Sequence, residues 1–104
     1  MGRVLRLVQD DPAHPWTVVS LAAKAGVSRA ALARRFSELV GEPVMTYLTG
    51  WRLALAADLL RGSPSTLEAI ARQVGYGSAF ALSSAFKRGY GVSPQEFRMR
   101  AGGG

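Results

Sequence analysis

The stretch Leu21-Ala22-Ala23-Lys24-Ala25-Gly26-Val27-Ser28, continuing to Leu32, Phe36 and Gly41, has a second copy further along the chain. Ile70-Ala71, Val74-Gly75 repeat Leu21-Ala22, Ala25-Gly26 at an offset of 49 residues. Ser78, Leu82, Phe86 and Gly91 repeat Ser28, Leu32, Phe36 and Gly41 at an offset of 50, so the later turn holds one extra residue. Each copy reads as a short helix, a glycine turn and a longer helix capped by serine, the grammar of a helix-turn-helix. The residue types have reasons. Ala22 and Ala71 are small enough for the second helix to pack closely on the first. Glycine supplies the backbone freedom of the turn. Leu32 with Phe36, and Leu82 with Phe86, anchor the longer helix and leave its opposite face free. One such copy is a weak signal, because helical hairpins with glycine turns are common; two copies in register are far more specific.

Outward from the repeat, the rest of the chain also reads as short helices. Val4 to Gln9 carries apolar residues at 4, 5, 7 and 8 and stops at Asp10-Asp11-Pro12; His14-Pro15-Trp16 is a connector. Thr17 can cap the helix that ends near Ala25, and Ser28 the next, whose core face is Leu32, Phe36, Leu39 and Val40. After Pro43 comes a longer helix, about residues 44–61, in which Val44, Leu48, Trp51, Leu55 and Leu59 form one apolar stripe at helical spacing. Ser65-Thr66-Leu67-Glu68 and Ser93-Pro94-Gln95-Glu96 have capping-box spacing, the latter with proline at the first helical position. A last helix runs to about Arg100, and 102–104 is a flexible glycine tail. No stretch alternates with period two, so the chain is all-α with about seven helices. One double helix-turn-helix domain spans 1–101: a first lobe over about 4–43, a linker helix over about 44–61 and a second lobe over about 62–101. At about 1.5 Å per residue the linker spans ~27 Å. That length lets two recognition helices reach successive major grooves, ~34 Å apart, if the linker tilts or the DNA bends.

Composition narrows the function. The chain has 104 residues, 13 Lys and Arg against 7 Asp and Glu, and a net charge of +6. It has no cysteine and one histidine, His14, which excludes thiol nucleophiles, disulfides, Cys-based zinc and any histidine relay. Neither a glycine-rich phosphate loop nor an acid–base constellation is present, so no catalytic residue, metal or cofactor is expected, and no enzyme. The longest apolar run, Leu53 to Leu60, is interrupted by Asp58 and is too short for a bilayer. The N-terminus lacks a secretory signal, so the expected location is the cytoplasm and no membrane partner is expected. A basic balance favours a polyanion.

These residues resemble the DNA-binding domain of the AraC/XylS family of bacterial transcription regulators. The likeness rests on 21–28, Leu32-Ala33-Arg34-Arg35-Phe36, Trp51-Arg52-Leu53 with Ala56 and Leu59-Leu60, Ile70-Ala71 and Val74-Gly75-Tyr76. It continues in Phe86-Lys87-Arg88, Tyr90-Gly91-Val92-Ser93-Pro94 and Phe97-Arg98, covering about residues 4–100. The resemblance implies two helix-turn-helix lobes, sequence-specific binding to double-stranded DNA near promoters, and contact with RNA polymerase. It also implies an effector-sensing or dimerisation domain that is not among these residues.

The candidate DNA-binding residues follow. Lys24, Arg29, Arg34 and Arg35 lie within twelve residues with no acid among them. Arg34 stands where the family commonly places a base-contacting side chain, and arginine can bond guanine O6 and N7 in a bidentate way. Its blander alternative is a phosphate clamp. Ala30 and Ala33 occupy two other family reading positions and can meet thymine methyls. Arg29 and Arg35 suit phosphate, as do Ser28 and its neighbouring N–H groups at the helix start. In the second copy Phe80, Ser83 and Ser84 replace Ala30, Ala33 and Arg34. Phe80 either packs on a thymine methyl or covers the turn. Ser83 and Ser84 bond base or phosphate with little selectivity; Ser78 and Ala79 offer N–H groups, and Lys87 a phosphate or polymerase contact. The first lobe is therefore expected to dominate base reading. The competing expectation is a basic helical module that docks a protein.

Overall fold

The computed structural model describes residues 2–102, among which there are seven helices and no strand. In chain order they are α1 (Gly2–Asp10), α2 (Val18–Ala25), α3 (Arg29–Val40), α4 (Val44–Gly62), α5 (Leu67–Val74), α6 (Ala79–Tyr90) and α7 (Pro94–Gly102). The all-α expectation is met. α7 runs through Gly102, so that residue is not part of a tail; Gly103 and Gly104 lie outside the described residues.

Side-chain caps fix most of the helix starts. Thr17 and Ser20 cap α2 reciprocally: Thr17 Oγ1 accepts from the Ser20 N–H at 3.0 Å and Ser20 Oγ from the Thr17 N–H at 2.9 Å. Ser28 and Ser78 accept from the N–H groups of Ala31 and Ala81 at 3.1 and 3.0 Å. These bonds satisfy donors that a helix start leaves unpaired. The expected box at Ser65–Glu68 does not form; Thr66 is the cap, accepting from the Ala69 N–H at 3.2 Å. At α7 half of the expected box is present. Ser93 Oγ accepts from the Glu96 N–H at 3.1 Å, but the Glu96 carboxylate bonds that hydroxyl and not the Ser93 backbone.

The chain divides into two units, one ending at Trp51 and the other beginning at Arg52, so the division falls inside α4. Each has its own apolar core. The first gathers Val4, Val8, Trp16, Leu21, Ala22, Leu32, Phe36, Val44 and Leu48. The second gathers Leu53, Ala56, Ala57, Leu60, Ile70, Ala71, Val74, Leu82, Ala85 and Phe86. Two expectations fail here. Leu39 is 71% exposed and is not part of the core face of α3. The stripe along α4 is buried only at Val44 and Leu48; Trp51, Leu55 and Leu59 are half-buried, and Leu53, Ala56, Ala57 and Leu60 take over. The five-residue step from Leu48 to Leu53 breaks the three-four spacing, because the two halves of the helix serve different cores.

Candidate nucleic-acid interface

The first turn sets the direction of α3. Gly26 has φ +71°, the left-handed region, where a side chain would be strained. Its N–H reaches the Ala23 carbonyl at 3.3 Å and the Val27 N–H reaches Ala22 at 3.1 Å, the paired closure of a Schellman motif. Leu32 and Phe36 are fully buried and hold α3 against the core. Ser28, Arg29, Ala30, Ala33, Arg34 and Arg35 are all left exposed, with Lys24 beside them at the end of α2. Ala30, Ala33 and Arg34 share one helix face by their spacing of three and four. The ion pairs His14 with Asp11 at 3.8 Å and Arg61 with Asp58 at 2.6 Å, among the described residues, do not involve these arginines. Guanidinium groups without an internal carboxylate keep their donors for an external anion.

The second turn repeats the device with one more residue. Gly75 has φ +100°, and the N–H groups of Gly75 and Tyr76 both reach the Ala71 carbonyl, at 3.0 and 2.8 Å. Leu82, Ala85 and Phe86 are buried; Ser78, Phe80, Ser84 and Lys87 are exposed, while Ala79 and Ser83 are half-buried. Phe80 is 81% exposed, so it does not cover the turn. Tyr76 is half-buried within this unit. Burial raises its hydroxyl pKa, and the charges of Arg52 and Arg88 pull it back. Burial correspondingly lowers the pKa of the Arg52 guanidinium, with Tyr76 opposing.

Other basic side chains are engaged internally. Arg98 donates from Nε to the Leu60 carbonyl at 3.1 Å and from Nη2 to the carbonyls of Ser63 and Ser65 at 3.1 and 2.8 Å. It closes the carboxyl end of α4, where helix carbonyls lack partners. Arg61 pairs with Asp58 and stands 5.4 Å over the Phe97 ring. Two residues beside the candidate surface escape a sequence reading. Arg72 is exposed in a cleft with Ser78 and Ala79 at the start of α6. Val19 is 60% exposed beside Ala30 and Ala33. Its only sequence signal is that it stands off the buried pair Leu21 and Ala22 of its own helix.

Among the described residues no helix is long and apolar enough to cross a membrane, and no group of His, Asp and Glu is placed to hold a metal.

A family model described as a helix-turn-helix domain matches residues 21–100. A Streptomyces antibioticus protein described as an AraC-like transcription regulator is 51% identical over 94% of this chain and 32% of its own length. The HTH-type transcriptional regulator AlkR of Acinetobacter baylyi is 39% identical over 97% of this chain and 33% of its own length. The chain thus spans about a third of the length of these curated relatives. Among solved structures, the C-terminal domain of AraT, a response regulator from Geobacillus stearothermophilus, superposes with a TM-score of 0.92 at 31% identity, over 95% of this chain and 83% of that one. The DNA-binding domain of AdpA, a global transcriptional factor solved in complex with a target DNA, superposes with a TM-score of 0.91 at 30% identity, over 95% and 89% of the two chains.

Proposed function

The chain belongs to the AraC family of helix-turn-helix transcription regulators, and from that premise we propose that it binds double-stranded DNA sequence-specifically, with α3 and α6 entering successive major grooves. The observation that carries this is the exposed face of α3. Arg29, Arg34 and Arg35 are exposed and free of internal ion pairs, and by helical spacing Arg34 stands opposite the fully buried Leu32 and Phe36. The target DNA held by the related AdpA domain supports the same reading.

The roles follow from side-chain chemistry. Arg34 reads a guanine edge, and Ala30 and Ala33 meet apolar base surface. Arg29, Arg35 and Lys87 bind phosphates, and the first N–H groups after Ser28 and Ser78 bind phosphates at the helix starts. Phe80 packs on a thymine methyl, with Ser83 and Ser84 making less selective bonds around it. The first lobe therefore does most of the reading, because α6 carries no Arg, Asn or Gln on the matching face. RNA polymerase is a further partner, and an effector-sensing or dimerisation domain lies outside these residues.

Selection of bound duplexes from a random DNA pool tests the proposal. The expected result is an enriched motif whose strongest positions change in Arg34→Ala; a pool that stays random would defeat it. A protein-docking module is the second reading, favoured by the exposed apolar side chains Leu39 and Met99, at 71% and 68%.

A further inference from the structure

The cleft between the first turn of α2 and the start of α3 is lined by Thr17, Val18, Val19, Arg29, Ala30 and Ala33. We infer that it is a reader of the thymine C5-methyl group, with Val19 a specificity-determining residue supplied by the helix that precedes the recognition helix. The inference rests on the proposed DNA binding and gives one part of that surface a definite ligand.

The cleft presents carbon. Val19 is a branched apolar side chain, yet it is 60% exposed and faces the same opening as the exposed methyl groups of Ala30 and Ala33. The polar groups of Thr17 are engaged within the cap. Thr17 Oγ1 and the Thr17 N–H are engaged by Ser20, and the Ser20 hydroxyl donates to the Thr17 carbonyl at 3.1 Å. Arg29 is the one charged lining residue, and with Arg34, Arg35 and Lys24 around it the surroundings favour a polyanion over an apolar protein segment. In the major groove only thymine presents a methyl group; adenine and guanine present donors and acceptors there, and cytosine a donor beside a small C5–H edge. Pressing those against Val19, Ala30 and Ala33 would strip them of water without replacing the hydrogen bonds.

The second copy provides a contrast within the molecule. By the 49-residue offset Glu68 stands where the first copy has Val19. The corresponding cleft is lined by Glu68 and Arg72 among others, so it carries charge of both signs. A cleft lined by Val19, Ala30 and Ala33 is therefore particular to the first copy, whose residues differ from Glu68, Phe80 and Ser83 at the matching positions, and does not come from the helix-turn-helix geometry that both copies share.

The test uses duplexes selected from a random pool and resynthesised with single thymines replaced by deoxyuridine, which removes the methyl and keeps every hydrogen-bonding group. Next to the base pair whose preference Arg34→Ala relaxes, one replacement should weaken binding about fourfold, as loss of one buried carbon group implies. Val19→Ala, a change at an exposed helix position whose folding a thermal melt checks, should lose most of the thymine preference at that position, with Ala30 and Ala33 keeping the remainder. Binding indifferent to every replacement overturns the inference while leaving DNA binding intact. So does a Val19→Ala protein that keeps the full fourfold preference. A protein that retains no duplex from the pool overturns both.

Discussion

Arg98 and Arg34 show how differently two arginines of one small basic chain are used. Arg98 is half-buried and spends its donors on three carbonyls at and just beyond the end of α4. Charge-assisted bonds of this kind are worth about 1.5–3 kcal/mol where the carbonyls are left unpaired. Arg98→Ala should lower stability by about 1–2 kcal/mol in thermal unfolding, and Arg98→Lys should restore only part, since an ammonium cannot fork across three acceptors. Arg34 spends nothing internally. Arg34→Ala should leave the melting temperature nearly unchanged and lose ~1–3 kcal/mol of discrimination at one base pair in a randomised-site library. Lys87→Ala, by contrast, should weaken all sequences about equally and reduce the salt slope by ~1. Uniform loss in both variants would remove Arg34 as a reader. Which arginine turns inward is decided by its neighbours at residues 60 to 65, more than thirty positions away in the chain.

At the scale of elements, the turns were legible because glycine leaves a strong local mark. Gly26 and Gly75 occupy left-handed backbone at φ +71° and +100°, and their offset of 49 residues announced the repeat. Gly26→Ala or Gly75→Ala should cost about 1–2 kcal/mol in chemical denaturation, the strain of a left-handed alanine. Gly50 is the opposite case. It is exposed inside α4, has no positive φ, and a Cβ there would meet nothing within 4 Å. Gly50→Ala should therefore stabilise by up to about 1 kcal/mol. Helix faces were less legible than helix positions. Leu39 fits the spacing of Phe36 and Val40 and yet stands 71% exposed. Periodicity assigns a residue to a stripe; it does not say how wide a stripe the neighbouring helices cover.

At the scale of the whole molecule, charge separates the two functional readings. A protein that neutralises Z phosphates loses affinity with salt at a log–log slope of about −0.9Z. With Arg29, Arg35, Lys87 and the two helix starts engaged, the slope for selected duplexes should be steep, about −3 or beyond. A titration over a severalfold change in salt reads it directly. A flat dependence would favour docking of a protein on the exposed apolar residues. The net charge of +6 was visible from composition and points only to the class of partner. Where that charge is displayed depended on which faces the two cores consume.

The order and type of the seven helices, the duplicated turn and the basic character of α3 were determined by local chemistry: caps, glycines, apolar spacing and charge, each acting within a few residues. The tertiary structure alone decided the change of buried face along α4, the inward turn of Arg98, the release of Phe80 to solvent and the placing of Val19 beside Ala30 and Ala33. Each of those depends on side chains from different helices competing for the same space, and a linear pattern carries no measure of that competition.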